Sequence, residues 1–196
     1  MKMVFWIVII GVLFVLGSAG FWAYKKYNFG ASYDVGQEID SFNEIPVYYN
    51  GWFSNIKGRN VTNDGYNLGL KYQCVEFVKR YYFEHLNHKM PNSYGHAKDF
   101  FDNSLRDGQK NKARNLFQYT NASRSKPKVS DLLIYKASTF NKFGHVSIVS
   151  RVSDDEIEII QQNIGSQSRE TFKLIYSDGL WKIKSSRIVG WLRKAN

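Results

Sequence analysis

Lys71-Tyr-Gln-Cys-Val-Glu-Phe-Val-Lys-Arg-Tyr-Tyr-Phe83 is the stretch on which the reading of the fold turns. Val78, Tyr81, Tyr82 and Leu86 recur at helical spacing with Lys79 and Arg80 outside the stripe, which predicts a helix from Gln73 to about Asn87. Cys74, the single cysteine of the chain, falls in its first turn. Unpaired N–H groups and the positive end of the helix dipole favour an anion there, so a lowered thiol pKa is expected. Glu76 and Arg80, four residues apart, are expected to pair on the helix surface.

C-terminal to this helix the period changes. Asp131 to Tyr135, His145 to Val152, Glu156 to Gln162, Thr171 to Tyr176, Leu180 to Lys184 and Ile188 to Leu192 are short segments rich in β-branched and aromatic residues. Ser153-Asp-Asp155 and Ser177-Asp-Gly179 separate two pairs of them as turns. A helical half followed by an antiparallel sheet is an α+β order. N-terminal to the helix, no charged residue occurs from Met3 to Tyr24, and about 1.5 Å of rise per residue would carry that stretch across a hydrocarbon core of about 30 Å. The expectation is one N-terminal transmembrane helix (1–26), a polar linker (27–43) and one domain (44–196), on a single-pass membrane protein. Gly17-Ser-Ala-Gly20 keeps a cleaved signal peptide open as the alternative. Lys2 plus the terminal amine on one side roughly balances Lys25 and Lys26 on the other, so orientation stays undecided.

A chain of 196 residues with 43% hydrophobic and 16% aromatic content has material for one folded core, which excludes a disordered protein. Its formal charge of +10 is partly local. Between Ser104 and Ser130 lie Arg106, Lys110, Lys112, Arg114, Arg124, Lys126 and Lys128 against the acid Asp107. This basic region (106–128) reads as a solvated loop able to attract an anionic polymer or lipid. No nucleic-acid motif accompanies it, so no specific nucleic-acid partner is expected. Four scattered histidines and one cysteine lack metal-ligand spacing, and no glycine loop for phosphate is present, so neither metal nor cofactor is expected. The sequons at Asn60 and Asn121 are short enough to be chance.

Nucleophilic catalysis by a cysteine needs a base. His145 opens a predicted strand directly after Gly144; His85, His88 and His96 are the other candidates, the first two at the polar end of the helix. A third group must hold the imidazole in its useful tautomer. Gln161 and Asn163, two apart near the end of the next strand, project to one face, and either side-chain oxygen could accept the imidazole N–H. Gln73 could help bind an oxyanion together with the backbone N–H of Cys74.

The helix motif at 71–83 resembles the cysteine helix of the CHAP family, the cysteine- and histidine-dependent amidohydrolases/peptidases. The resemblance continues in order through Ile45-Pro-Val-Tyr-Tyr-Asn-Gly51, Asp131-Leu-Leu-Ile-Tyr135, Gly144-His-Val-Ser-Ile-Val149, Ile159-Ile-Gln-Gln-Asn163 and Ile188-Val-Gly-Trp-Leu192. It covers roughly residues 43–193 and is especially similar to the amidase domains of bifunctional glutathionylspermidine synthetase/amidases. It implies a papain-like, CHAP/NlpC-P60-type fold and a thiol-dependent amide hydrolase working through a thioester. Cys74 is then the nucleophile, His145 the base, Gln161 or Asn163 the orienter and Gln73 an oxyanion donor. The implied substrate is a peptidoglycan peptide, which suits an exported domain and is slightly favoured by the anchor, or a glutathionyl-polyamine amide. One departure stands out: the family's Glu-Gln-Asn run reads Gln161-Gln162-Asn163 here. A neutral amide orients an imidazolium but stabilises its charge less than a carboxylate does. The rival expectation is therefore a weak or inactive module that binds cell-wall peptide at the membrane.

Overall fold

The computed structural model describes residues 2–27 and 33–195, without the side chains of 2–5, 8 and 25–27. Its elements in chain order are helix α1 (Lys2–Tyr27), strands β1 (Glu38–Phe42), β2 (Ile45–Tyr48), β3 (Arg59–Val61) and β4 (Asn67–Leu70), and helix α2 (Cys74–Glu84). A short 3-10 helix (Ala97–Phe100) follows, then β5 (Gln109–Asn111), β6 (Leu116–Thr120), β7 (Leu132–Tyr135), β8 (His145–Val152) and β9 (Glu156–Ile160). The chain closes on β10 (Arg169–Ser177), β11 (Leu180–Ile183) and β12 (Ile188–Arg193). The last eight strands form one sheet in the order β11-β10-β9-β8-β7-β12-β6-β5, every neighbour antiparallel.

Alternation along the strands gives this sheet two apolar faces. On β7, Leu132 and Ile134 join Val146, Ile148 and the α2 residues Phe77, Val78, Tyr81 and Tyr82 in one cluster. Leu133 and Tyr135 point the other way, among Val149, Ile157, Ile159, Leu174 and Trp191. The helix therefore packs across the middle of the sheet and brings its first residue to the β8 side. Burying each large apolar side chain there contributes on the order of 2 kcal/mol before ordering costs.

The α+β domain with a helical half is corrected to a mostly β domain: among the described residues α2 is the one α-helix beside twelve strands, α1 apart. Between α2 and β5 the chain carries Pro91, Gly95 and Gly108 and takes positive φ at Asn87, Gly95 and Gly108, which interrupt helical hydrogen bonding. The transmembrane helix is corrected as well. Among the described residues no helix is long and apolar enough to cross a membrane. Single-pass membrane placement and a membrane partner at 3–24 go with it, and the side chains of Lys2, Lys25 and Lys26, on which orientation rested, lie outside the described residues.

Two charge readings change with the fold. Glu76 and Arg80 pair at 2.8 Å, not on the surface but with side chains 2% and 6% exposed. Asn60 Nδ2 also donates to Glu76, and Arg80 donates to the Pro46 carbonyl, so the pair ties α2 to β2 and β3. The basic stretch is not one loop. It contains β5 and β6, and Arg114 is buried, donating to the carbonyls of Asn92, Tyr94 and Asp99 over the Phe100 ring.

Candidate active site

Cys74 opens α2 behind the N-cap residue Gln73, which has extended backbone (φ −88°, ψ 159°). The thiol faces the start of β8, where the Val146 N–H reaches it. Burial pushes the thiol up to about 11, and the N–H groups of Val146, Val75 and Cys74 itself oppose that only in part. The lowered pKa expected from the helix terminus is thus overturned: Cys74 is enclosed between α2 and the sheet, and desolvation outweighs the terminus.

His145 is the first residue of β8. Gly144 before it adopts φ +73°, and a Cβ there would lie 2.6 Å from the Tyr135 carbonyl oxygen, so the approach to His145 requires glycine. The His145 Nε2 lies 2.9 Å from Gln161 Oε1. An amide oxygen only accepts, so Nε2 carries the hydrogen and Nδ1 is the basic nitrogen. Burial lowers the His145 pKa to about 4; the Gln161 bond raises it and the Arg187 charge lowers it further. Cysteine and histidine therefore both rest neutral near pH 7. Moving the thiol proton to the imidazole would create a pair without net charge, which a buried site tolerates better than either ion alone.

Asn163 does not share the orientation of Gln161. Strand β9 ends at Ile160 and Asn163 has φ +71°, so the period-two projection fails. Its Nδ2 donates to the Gln73 side-chain oxygen and, at 3.0 Å, to the Phe53 carbonyl, while its Oδ1 accepts from Asn50 Nδ2 at 2.8 Å. Gln73 in turn donates to the carbonyls of Asn55 (2.7 Å) and Phe53 (3.3 Å), so its amide hydrogens are engaged with the 53–55 loop. Gln162, which the sequence did not single out, accepts from the Tyr48 N–H at 2.7 Å and donates to the Gln73 carbonyl and to Glu76. Asn50 is buried with its Oδ1 unpartnered. Both belong to short motifs already visible, Tyr-Tyr-Asn-Gly51 and Gln-Gln-Asn163; nothing in spacing marked them.

The other histidines lie elsewhere. His88 is buried and meets the Arg114 carbonyl, His85 meets Asn43, and His96 caps the 3-10 helix beside Phe143. Among the described residues no group of three or more His, Cys, Asp or Glu is placed to hold a metal ion.

A stability consequence follows for His145. Its pKa is near 6.5 unfolded and about 4 folded, so between these values the unfolded chain binds the extra proton. Stability is intact above pH 6.5 and falls as pH drops toward 4, by up to about 3 kcal/mol. Urea midpoints at pH 7 and pH 4.5 should show a smaller acid loss for His145→Gln than for wild type; equal losses would exclude the buried neutral imidazole as the cause. The lowered carboxylates of Asp40 and Glu158 lose their contribution only at still lower pH.

Residues 62–163, which contain the Cys74, His145 and Gln161 positions, match the CHAP domain family. Trypanothione synthetase of Crithidia fasciculata is 30% identical over 144 residues, 71% of this chain and 22% of that protein. The bifunctional glutathionylspermidine synthetase/amidase of Escherichia coli K12 is 28% identical over 148 residues, 68% of this chain and 23% of that protein. The chain thus spans less than a quarter of the length of these relatives. The crystal structure of Ly7917 aligns with 37% of this chain and 30% of its own at 23% identity, with a TM-score of 0.26, too low to carry an argument.

Proposed function

The chain belongs to the CHAP domain family, which supports an amidohydrolase-type function, and from that premise we propose a cysteine amidase in which Cys74 and His145 do the chemistry. The observation that carries the reading is the 2.9 Å bond between His145 Nε2 and Gln161, which leaves Nδ1 as the base at the end of β8 that Cys74 faces. His145 Nδ1 takes the thiol proton as Sγ bonds to the carbonyl carbon. The backbone N–H of Cys74 holds the oxyanion, joined by Gln73 or Asn163 once a substrate carbonyl replaces that of Phe53. The C–N bond breaks as His145 protonates the leaving amine, giving a thioester. Water then attacks, passes its proton through His145 to Sγ, and releases the acid.

The substrate we favour is a glutathionyl-polyamine amide. The names of two relatives include glutathionylspermidine synthetase/amidase and trypanothione synthetase, and the anchor that favoured cell-wall peptide is not upheld. Incubation with glutathionylspermidine should release spermidine and glutathione, with a transient glutathionyl adduct on Cys74. Release from muropeptides but not from glutathionylspermidine would reverse the substrate, and binding without turnover of either would leave a silent module in place of the amidase.

A further inference from the structure

A cleft of about 300 Å³ lies between the segment that begins with the 3-10 helix and the end of β7, lined among others by Lys98, Asp99, Asn103, Tyr135, Lys136 and Val189. It borders the proposed active site. Tyr135 pairs with His145 across β7 and β8, and the two ring centroids are 5.3 Å apart. Gly144 is pressed against the same wall, since a Cβ there would meet the Tyr135 carbonyl and, at 3.0 Å, the Lys98 side chain.

The charge of this cleft is unbalanced. Lys98 and Lys136 are exposed, and among the described residues neither makes an ion pair or a side-chain hydrogen bond. Arg187, over the Tyr135 ring at 5.6 Å, is opposed there by Glu170, and the acid among the lining residues, Asp99, already accepts the His96 N–H at 2.8 Å in a helix cap, which leaves the two lysines as the cleft's excess charge. Two point-charge ammoniums with an asparagine amide suit a small anionic group such as a carboxylate, which the acyl half of the proposed amide substrate carries.

We propose that the cleft is a subsite for a carboxylate on the acyl half of the amide substrate, so that the acidic peptide part lies on the Lys98 and Lys136 side of His145. This rests on the amidase reading for its meaning as a substrate subsite. A cationic amine half is repelled from the same cleft and occupies the opposite side, toward Gln73.

The test separates the subsite from catalysis by using a probe that cannot react. Glutarate titrated into the ¹⁵N-labelled protein should shift the backbone amides of Asn103, Ala137 and Val189 saturably, whereas the uncharged glutaramide should not. Lys98→Gln with Lys136→Gln should weaken glutarate by about tenfold, a size consistent with two exposed charges, while Lys110→Gln on β5 leaves it unchanged. The Cys74→Ala protein should bind glutarate as wild type does, so a silent cysteine would sink the amidase reading without touching this result. Equal shifts from glutaramide, no loss in the double variant, or tighter binding of inorganic phosphate at these amides would overturn the carboxylate subsite.

Discussion

Cys74→Ser is expected to lower amide hydrolysis by about a thousandfold or more, with Cys74→Ala no worse. A serine hydroxyl in this position meets a base whose pKa burial has lowered to about 4, too weak to draw a proton from an alcohol. Even the thiol is held up at about 11, so the reaction depends on sulfur giving up its proton far more readily than oxygen does. The substitution changes little else: the site is 9% exposed, and the Val146 N–H remains as a partner for the new hydroxyl. A thermal midpoint close to wild type would assign the loss to chemistry. The same neutral resting state predicts that the rate of alkylation of Cys74 by iodoacetamide keeps climbing with pH above neutrality. A rate already flat from pH 6 to 9 would mean a preformed thiolate and would contradict the burial argument. Full turnover by Cys74→Ser would remove Cys74 from the mechanism.

How far this site is legible in sequence depends on which physical signal each part leaves. The helix at Cys74 and the strand at His145 are legible because burial on one face imposes a period, 3.6 on Val78, Tyr81 and Tyr82 and 2 on the β8 residues Val146 and Ile148. Asn163 is misread for the same reason. Period two holds only while the strand lasts, and β9 stops at Ile160. The amide cluster of Asn50, Gln73, Gln162 and Asn163 leaves no period, since its members come from three separate segments and meet through side-chain hydrogen bonds. Polarity misleads too. Glu76, Arg80 and Arg114 look like surface charges, yet each is buried because carbonyls or an opposite charge replace its water. The helical half fails because an apolar stripe was legible at 73–87 alone, while the chain around it satisfies its backbone through short strands and turns.

Gln161 stands where the resemblance read from the sequence implies a glutamate, and Gln161→Glu is expected to speed amide hydrolysis near neutral pH and to carry it to higher pH. The new carboxylate would sit where Oε1 now lies, 2.9 Å from His145 Nε2, and an adjacent negative charge favours the protonated imidazole. The His145 pKa, now about 4, should rise, and with it the share of thiolate–imidazolium pair formed from the neutral pair. Gln161 is 3% exposed, so an unpaired carboxylate there would be costly; the imidazolium beside it offsets that cost, and a preserved urea midpoint at pH 7 checks it. Gln161→Ala removes the bond that fixes the tautomer, so kcat should fall by about tenfold to a hundredfold, a smaller loss than removal of a charged orienter gives. Asn163→Ala should act differently. Asn163 holds Gln73 and the Phe53 carbonyl rather than His145, so its loss should alter KM and kcat while leaving the pH–rate profile in place. The three profiles read together separate positioning from binding. A profile moved by Asn163→Ala and untouched by both Gln161 variants would give the orienting role to Asn163, and His145 would then have to reach it by a rearrangement of the turn after β9.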